Sequence, residues 1–141
     1  MNIWDYVKGF SPKEKWGKPE KMNGLLLLLL PVIRLEFLKE DANCHFIVHC
    51  GFEEDGHAPK SQHYLGNAVD FHIETILPYA RQIEKMLDVL DRLQVSNYVG
   101  LGIYPTWNNP GFHLDVRGSL ARWGFINGKE ESFKKALEAI T

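Results

Sequence analysis

The chain has 141 residues, with 16 Lys and Arg against 18 Asp and Glu, a formal net charge of -2 and 45% hydrophobic residues. That length suits one domain built on a single core and leaves little room for two. The near-neutral balance excludes the broad basic field that a phosphate backbone calls for, so nucleic acid is not an expected partner.

The first 20 residues carry Ser11-Pro12-Lys13-Glu14, a cap, a proline and an acidic first turn that predict a short helix over residues 11 to 18. Trp4, Phe10 and Trp16 are placed to anchor this arm on the body. From Pro19 to about Lys39 the pattern predicts a helix, apolar over enough of its circumference to be buried on several sides, with Pro31 kinking or dividing it. Its run of apolar residues, 25 to 33, stops at Arg34 and falls far short of the about 20 residues that cross a bilayer. Lys13, Lys15, Lys18 and Lys21 ahead of the run mimic the start of a secretory signal. No small-residue cleavage site follows, so a buried helix is the better reading and no membrane partner is expected.

Glu40-Asp41-Ala42-Asn43 supplies a turn, and Cys44-His45-Phe46-Ile47-Val48-His49-Cys50 predicts a strand. If both cysteines lie in that one strand they sit roughly 20 Å apart, beyond disulfide reach. A polar loop then runs from Gly51 to Gln62. Residues 67 to 73 alternate as a strand that puts Ala68, Asp70 and His72 on one face and Val69, Phe71 and Ile73 on the other. Ile83, Met86, Leu87, Leu90 and Leu93 mark a helix over 77 to 93. Strands are predicted at 97 to 104 and 112 to 116 across a turn-rich link, and a last helix at 130 to 140. Helices mixed with hairpin-like strands favour an α+β fold, a small antiparallel sheet flanked by helices, over a doubly wound one.

The chemistry-bearing residues are concentrated in two segments. Ser61-Gln62-His63-Tyr64-Leu65-Gly66-Asn67-Ala68-Val69-Asp70 is answered by Gly111-Phe112-His113-Leu114-Asp115-Val116-Arg117. Two imidazoles and a carboxylate, His63, His113 and Asp70, make a three-ligand N/O set; zinc held this way keeps a fourth position open for water, whereas structural zinc more often closes its shell with thiolates. Gly66 frees the backbone to fold His63 back towards Asp70. Asp115 shares a strand face with His113 by the period of two.

This arrangement resembles the M15 peptidase family, the zinc D-Ala-D-Ala carboxypeptidases and related phage endolysins. Their motif S-x-H-x-x-G-x-A-x-D with a later His is matched at Ser61, His63, Gly66, Ala68, Asp70 and His113. The likeness extends to Gly100-Leu101-Gly102-Ile103-Tyr104 and to Phe112-His113-Leu114-Asp115-Val116-Arg117, covering roughly residues 10 to 120. The resemblance implies the small α+β zinc fold shared with hedgehog signalling domains, Zn2+ held by His63, Asp70 and His113, and a peptidoglycan peptide with D-residues as substrate, trimmed by a carboxypeptidase or cut by an endolysin. Together with the lack of a clear signal peptide, it fits a cytoplasmically made, phage-encoded product that reaches the cell wall by lysis or assembly.

Two departures stand out. Relatives place an acidic residue shortly before the second His, but residues 107 to 112 hold no carboxylate. They also carry Arg after a Gly-aromatic pair, where Gly51-Phe52 is here followed by Glu53. Asp115 is the first substitute for the catalytic base, with an equal reading as the acceptor that orients His113 or pairs with Arg117. Glu53, Glu54 and Asp55 are a reserve of carboxylates or a solvated turn. Arg117 is a candidate substrate contact, as are Tyr104 and Trp107, which either line a groove or close the core. His49, Cys50 and His72 are extra ligands or packed residues. The alternative to a peptidase is a non-catalytic, zinc-stabilised module of a phage particle or wall-associated assembly.

Overall fold

The computed structural model describes residues 2–140. Asn23 opens α1 (Gly24–Leu38) by accepting the backbone N–H groups of Leu25 and Leu26 at its side-chain oxygen, which satisfies two of the donors every helix start leaves without a partner. Pro31 lies inside an unbroken helix and does not divide it. Leu26, Leu27, Leu30, Ile33 and Phe37 are all buried, and packing on this scale offsets the about 3 kcal/mol that an interior proline costs. The expectation of burial on several sides is corrected: Leu25, Leu28, Val32 and Leu35 form an exposed outer stripe.

The arm before α1 holds no helix over 11 to 18. Short 3-10 turns occur at Ile3–Tyr6 and Pro19–Lys21 instead, because a segment this short seldom repays helix nucleation. Trp16 is fully buried, its ring against Trp4 and Phe10, and Phe10 meets Phe46 of the sheet edge to face.

The strands are β1 (His45–Cys50), β2 (Ala68–Glu74), β3 (Gly100–Tyr104), β4 (Gly111–Asp115), β5 (Ala121–Ile126) and β6 (Lys129–Glu131). The helices α2 (Tyr79–Arg92) and α3 (Phe133–Glu138) complete the set. The sheet runs β1-β2-β4-β3-β5-β6. All neighbours pair antiparallel except β3 and β5, which are parallel. The fold is therefore α+β as expected, with a six-stranded mixed sheet in place of a small antiparallel one.

The additional strands β5 and β6 occupy residues expected to be irregular or the start of the last helix, which is confined to Phe133–Glu138. Their hairpin turns at Asn127-Gly128, both with positive φ (52° and 77°), the primed turn that matches strand twist.

Alternation along the strands divides the sheet into two faces. Phe46, Val48, Val69, Phe71, Ile73, Leu101, Ile103, Phe112 and Leu114 are buried in one core cluster with Ile83, Met86, Val89 and Leu90 of α2 and the inner stripe of α1. The residues between them, Asp70, His72, Gly100, Gly102, His113 and Asp115, necessarily face the other way. That second face carries the polar cluster. No helix among the described residues is long and apolar enough to cross a membrane.

Candidate metal centre

His63 is delivered by a 3-10 turn, Gln62–Leu65, and the local sequence explains its form. Ser61 caps the turn by accepting the His63 backbone N–H at its hydroxyl, 3.2 Å away. Gly66 ends it in the left-handed region, at φ 71°. A Cβ at Gly66 would lie 2.0 Å from the Lys21 carbonyl oxygen, so both the conformation and the space call for glycine. Strand β2 follows at once, and cross-strand pairing sets Asp70 directly opposite His113 of β4.

His63, Asp70 and His113 form a group whose ligand atoms all lie within 4.8 Å of one another and which could hold a metal ion. His63 Nε2 is 3.2 Å from Asp70 Oδ2, and His113 Nδ1 is 3.0 Å from Asp70 Oδ1. The opposite nitrogens of both rings are already engaged. His63 Nδ1 lies 2.7 Å from the Gly51 carbonyl oxygen, and His113 Nε2 lies 2.6 Å from Asp115 Oδ2. A carbonyl can only accept, so His63 Nδ1 carries a proton and Nε2 is the nitrogen turned to Asp70. Second partners of this kind commonly fix the tautomer of metal-ligating histidines.

Burial works to raise the Asp70 carboxyl, but hydrogen bonds from His113 and His63 outweigh it and hold the group below the ordinary carboxylate range. Burial likewise lowers His113, and its bonds to Asp115 and Asp70 more than reverse this. The two carboxylates, one at each ring nitrogen, thus favour the charged form of His113, and a cation bound at the Asp70 side would supply positive charge in its place.

Asp115 is fully buried. Its Oδ1 accepts the backbone N–H groups of Gly100 and Arg117 and the Arg117 Nε–H, while its Oδ2 accepts from Arg117 Nη2 and faces His113 Nε2. A Cβ at Gly100 would lie 2.5 Å from Asp115 Oδ2, which accounts for the glycine there. Both oxygens of Asp115 are taken, on the edge of the His113 ring away from Asp70. This geometry matches the orienting acceptor and leaves no free lone pair for a base. Arg117, committed to that fork, lies over the Trp123 ring at 5.0 Å.

Two cavities meet at Asp70. One, about 320 Å³, is lined by His57, Lys60, Tyr104, His113, Arg117, Trp123, Phe125 and Glu130 among others. The second, about 330 Å³, is lined by His49, Cys50, Trp107, Asn108 and Asn109 together with Asp70. Tyr104 and Trp107 stack at 4.2 Å between them. Burial, with the Asp70 charge, pushes the Tyr104 phenol up, so it remains protonated. Glu53, Glu54 and Asp55 line a separate surface pocket, and Glu54 pairs with Lys18.

The sequence reading missed His57, which stacks on His63 at 4.3 Å and is held by two hydrogen bonds between its backbone and the Tyr64 hydroxyl. Nothing in the local pattern marks it, because its place depends on a loop closing. Trp123 and Glu130 were also missed; the Asn127-Gly128 turn signal would have put both in a hairpin. Cys50, His57 and His63 make a second group with ligand atoms within 4.8 Å. It shares His63 with the first group, and the Nδ1 that faces Cys50 at 3.8 Å is the one already bound to Gly51. His49 and His72 meet each other at 2.6 Å between ring nitrogens.

Set against protein-family models, curated proteins and solved structures, the chain has no match.

Proposed function

We propose that the chain is a zinc-dependent metallopeptidase of the M15 kind, cutting peptidoglycan peptides that contain D-residues, with His63, Asp70 and His113 as its metal ligands. The observation that carries the reading is the sorting of the imidazole nitrogens: each ring has its outer nitrogen bound to protein and its inner one turned to Asp70. The spacing is close enough for one ion to reach all three. Ligands about 2.0–2.1 Å from an ion must lie within a few ångström of each other, and here the two nitrogens lie 3.2 and 3.0 Å from the two Asp70 oxygens, with the ligand atoms all within 4.8 Å of one another. The absence of a thiolate from this set favours a site with an open position over a closed structural one.

Zinc bound there would lower the pKa of water to about 7 and polarise a scissile carbonyl. The chain's own residues supply the rest. Gly51 and Asp115 keep the two rings in the metal-accepting orientation. Tyr104 and Trp107 present an aromatic wall beside the ligands, on which a peptide can pack. Lys60 supplies a cation on one side, and Asn108 and Asn109 supply uncharged amides on the other. The substrate class rests on the resemblance of the paired motifs.

A second reading is a zinc-stabilised module without catalysis. It is favoured by the commitment of Asp115 to Arg117 and His113. Apart from Asp70, Glu130 on edge strand β6 is the sole carboxylate lining the cavity beside Tyr104 and Trp123 among the described residues.

Release of products from defined peptidoglycan fragments, compared between the zinc-loaded protein and His63→Ala, tests the first reading. Turnover that disappears in the variant is the expected result. Zinc bound in the wild type without turnover on any fragment would leave the second reading in its place.

A further inference from the structure

We infer that Cys50 is a positioning residue for the metal centre: a bulge at the end of β1 turns its thiol to hydrogen-bond Asp70 and hold that carboxylate towards His63 and His113. The inference rests on the assignment of those three residues as ligands and not on catalysis.

Strand β1 pairs regularly with β2 as far as Val48 opposite Phe71. Continued alternation would set His49 opposite Asp70 and turn Cys50 towards the core with Val48. The register instead slips between Val48 and Cys50, and Cys50 stands opposite Asp70. One extra residue in one strand is a β-bulge, a device that re-aims side chains and occurs often beside functional sites. Here it does so twice. His49, the extra residue, leans on His72 with ring centroids 4.8 Å apart, and Cys50 comes round to the ligand face.

The Cys50 thiol then donates to Asp70 Oδ2 at 3.2 Å. That same oxygen is 3.2 Å from His63 Nε2, so the thiol steadies the edge of the carboxylate that faces His63. The next residue does the corresponding work for the neighbouring ligand, since the Gly51 carbonyl accepts His63 Nδ1–H. Gly51 is itself fixed against Trp16: an added Cβ would lie 2.9 Å from the Trp16 carbonyl oxygen, and Phe52 N–H bonds that oxygen at 2.8 Å. Two consecutive residues at the bulged strand end thus set the orientation of two of the three ligands.

The test uses the full chain and zinc alone, with affinity measured by competition against a chromophoric chelator and melting temperature measured on metal-free protein. Cys50→Ser keeps a donor and is expected to bind zinc within about threefold of wild type, whereas Cys50→Ala is expected to bind about 10–100-fold more weakly, the range seen when a partner of a metal ligand is lost. A purely packing role predicts that both variants lower the metal-free melting temperature without separating in zinc affinity, and that outcome would overturn the inference. A direct ligand role would also overturn it: Cys50→Ser would then lose affinity as severely as Cys50→Ala, and the cobalt-substituted wild type would show a thiolate-to-metal charge-transfer band. Failure of the wild type to bind zinc removes the ligand assignment and the inference with it, whereas absence of peptidase activity leaves this result unaffected.

Discussion

His113 turns its two ring nitrogens to two different carboxylates: Nδ1 lies 3.0 Å from Asp70 Oδ1, and Nε2 lies 2.6 Å from Asp115 Oδ2. Both aspartates therefore contact the same histidine, but from opposite edges of its ring. Asp70 stands on the side that converges with His63, and Asp115 stands behind.

This relationship gives the first prediction. Asp115→Asn should weaken zinc binding about 10–100-fold, because the amide no longer serves as a charged acceptor for His113 Nε2–H. Asp115→Ala should in addition destabilise the protein, towards the lower end of the about 3–5 kcal/mol that breaking a buried pair costs, since Arg117 keeps some contact with solvent. Zinc competition and urea unfolding measure the two effects. An Asp115→Asn protein with wild-type zinc affinity and abolished turnover would instead restore Asp115 as the base.

Gly66 carries a second prediction. Gly66→Ala meets both a left-handed backbone and the Lys21 carbonyl oxygen. It should cost more than the about 1–2 kcal/mol of the conformational penalty alone, and it should weaken zinc binding because the turn presenting His63 shifts. Thermal melts with and without zinc check this. A variant with wild-type stability in both states would contradict the account of that turn.

The legibility of the sequence was uneven in ways that these residues explain. Period-two alternation was enough to bring Asp70 and His113 together, because β2 and β4 are adjacent and in register, and Gly66 marked the turn that returns His63 to them. The fold class was legible from the order of elements. The parallel pairing of β3 with β5 was not, since nothing local to Ala121–Ile126 states which strand it will join. The bulge at Cys50 was hidden for the same reason: a one-residue slip shows only against a partner strand. The outer stripe of α1 was misjudged because residues 25 to 33 are all apolar, and periodicity carries no signal along such a run.

Asp41 offers a prediction about acid stability, independent of the metal. Its carboxylate accepts the Thr75 hydroxyl at 2.7 Å and the backbone N–H groups of Asn43 and Ile76 at 3.1 Å each. These bonds, the Thr75 hydroxyl first, hold it below the ordinary aspartate value. A depressed folded-state pKa contributes stability that is fully present above the unfolded value of about 3.9 and is lost as pH falls through the folded value. The difference in urea midpoint between wild type and Asp41→Asn, measured with chelator present, should therefore be largest above about pH 4 and shrink below it. A difference that stays constant down to pH 2 would show that the charge of Asp41 contributes nothing.

The central claim is that His63, Asp70 and His113 bind one zinc ion as a set, and zinc titration of the chelator-treated full chain, followed by calorimetry and thermal melting, tests it most directly. The account predicts one zinc per chain and a raised melting temperature, equivalent to about 2.7 kcal/mol at a free zinc concentration 100-fold above Kd. Both should be lost in His63→Ala, Asp70→Ala and His113→Ala. A wild-type chain that takes up no zinc and melts unchanged in its presence, or ligand variants that still bind it at full stoichiometry and affinity, would contradict the account.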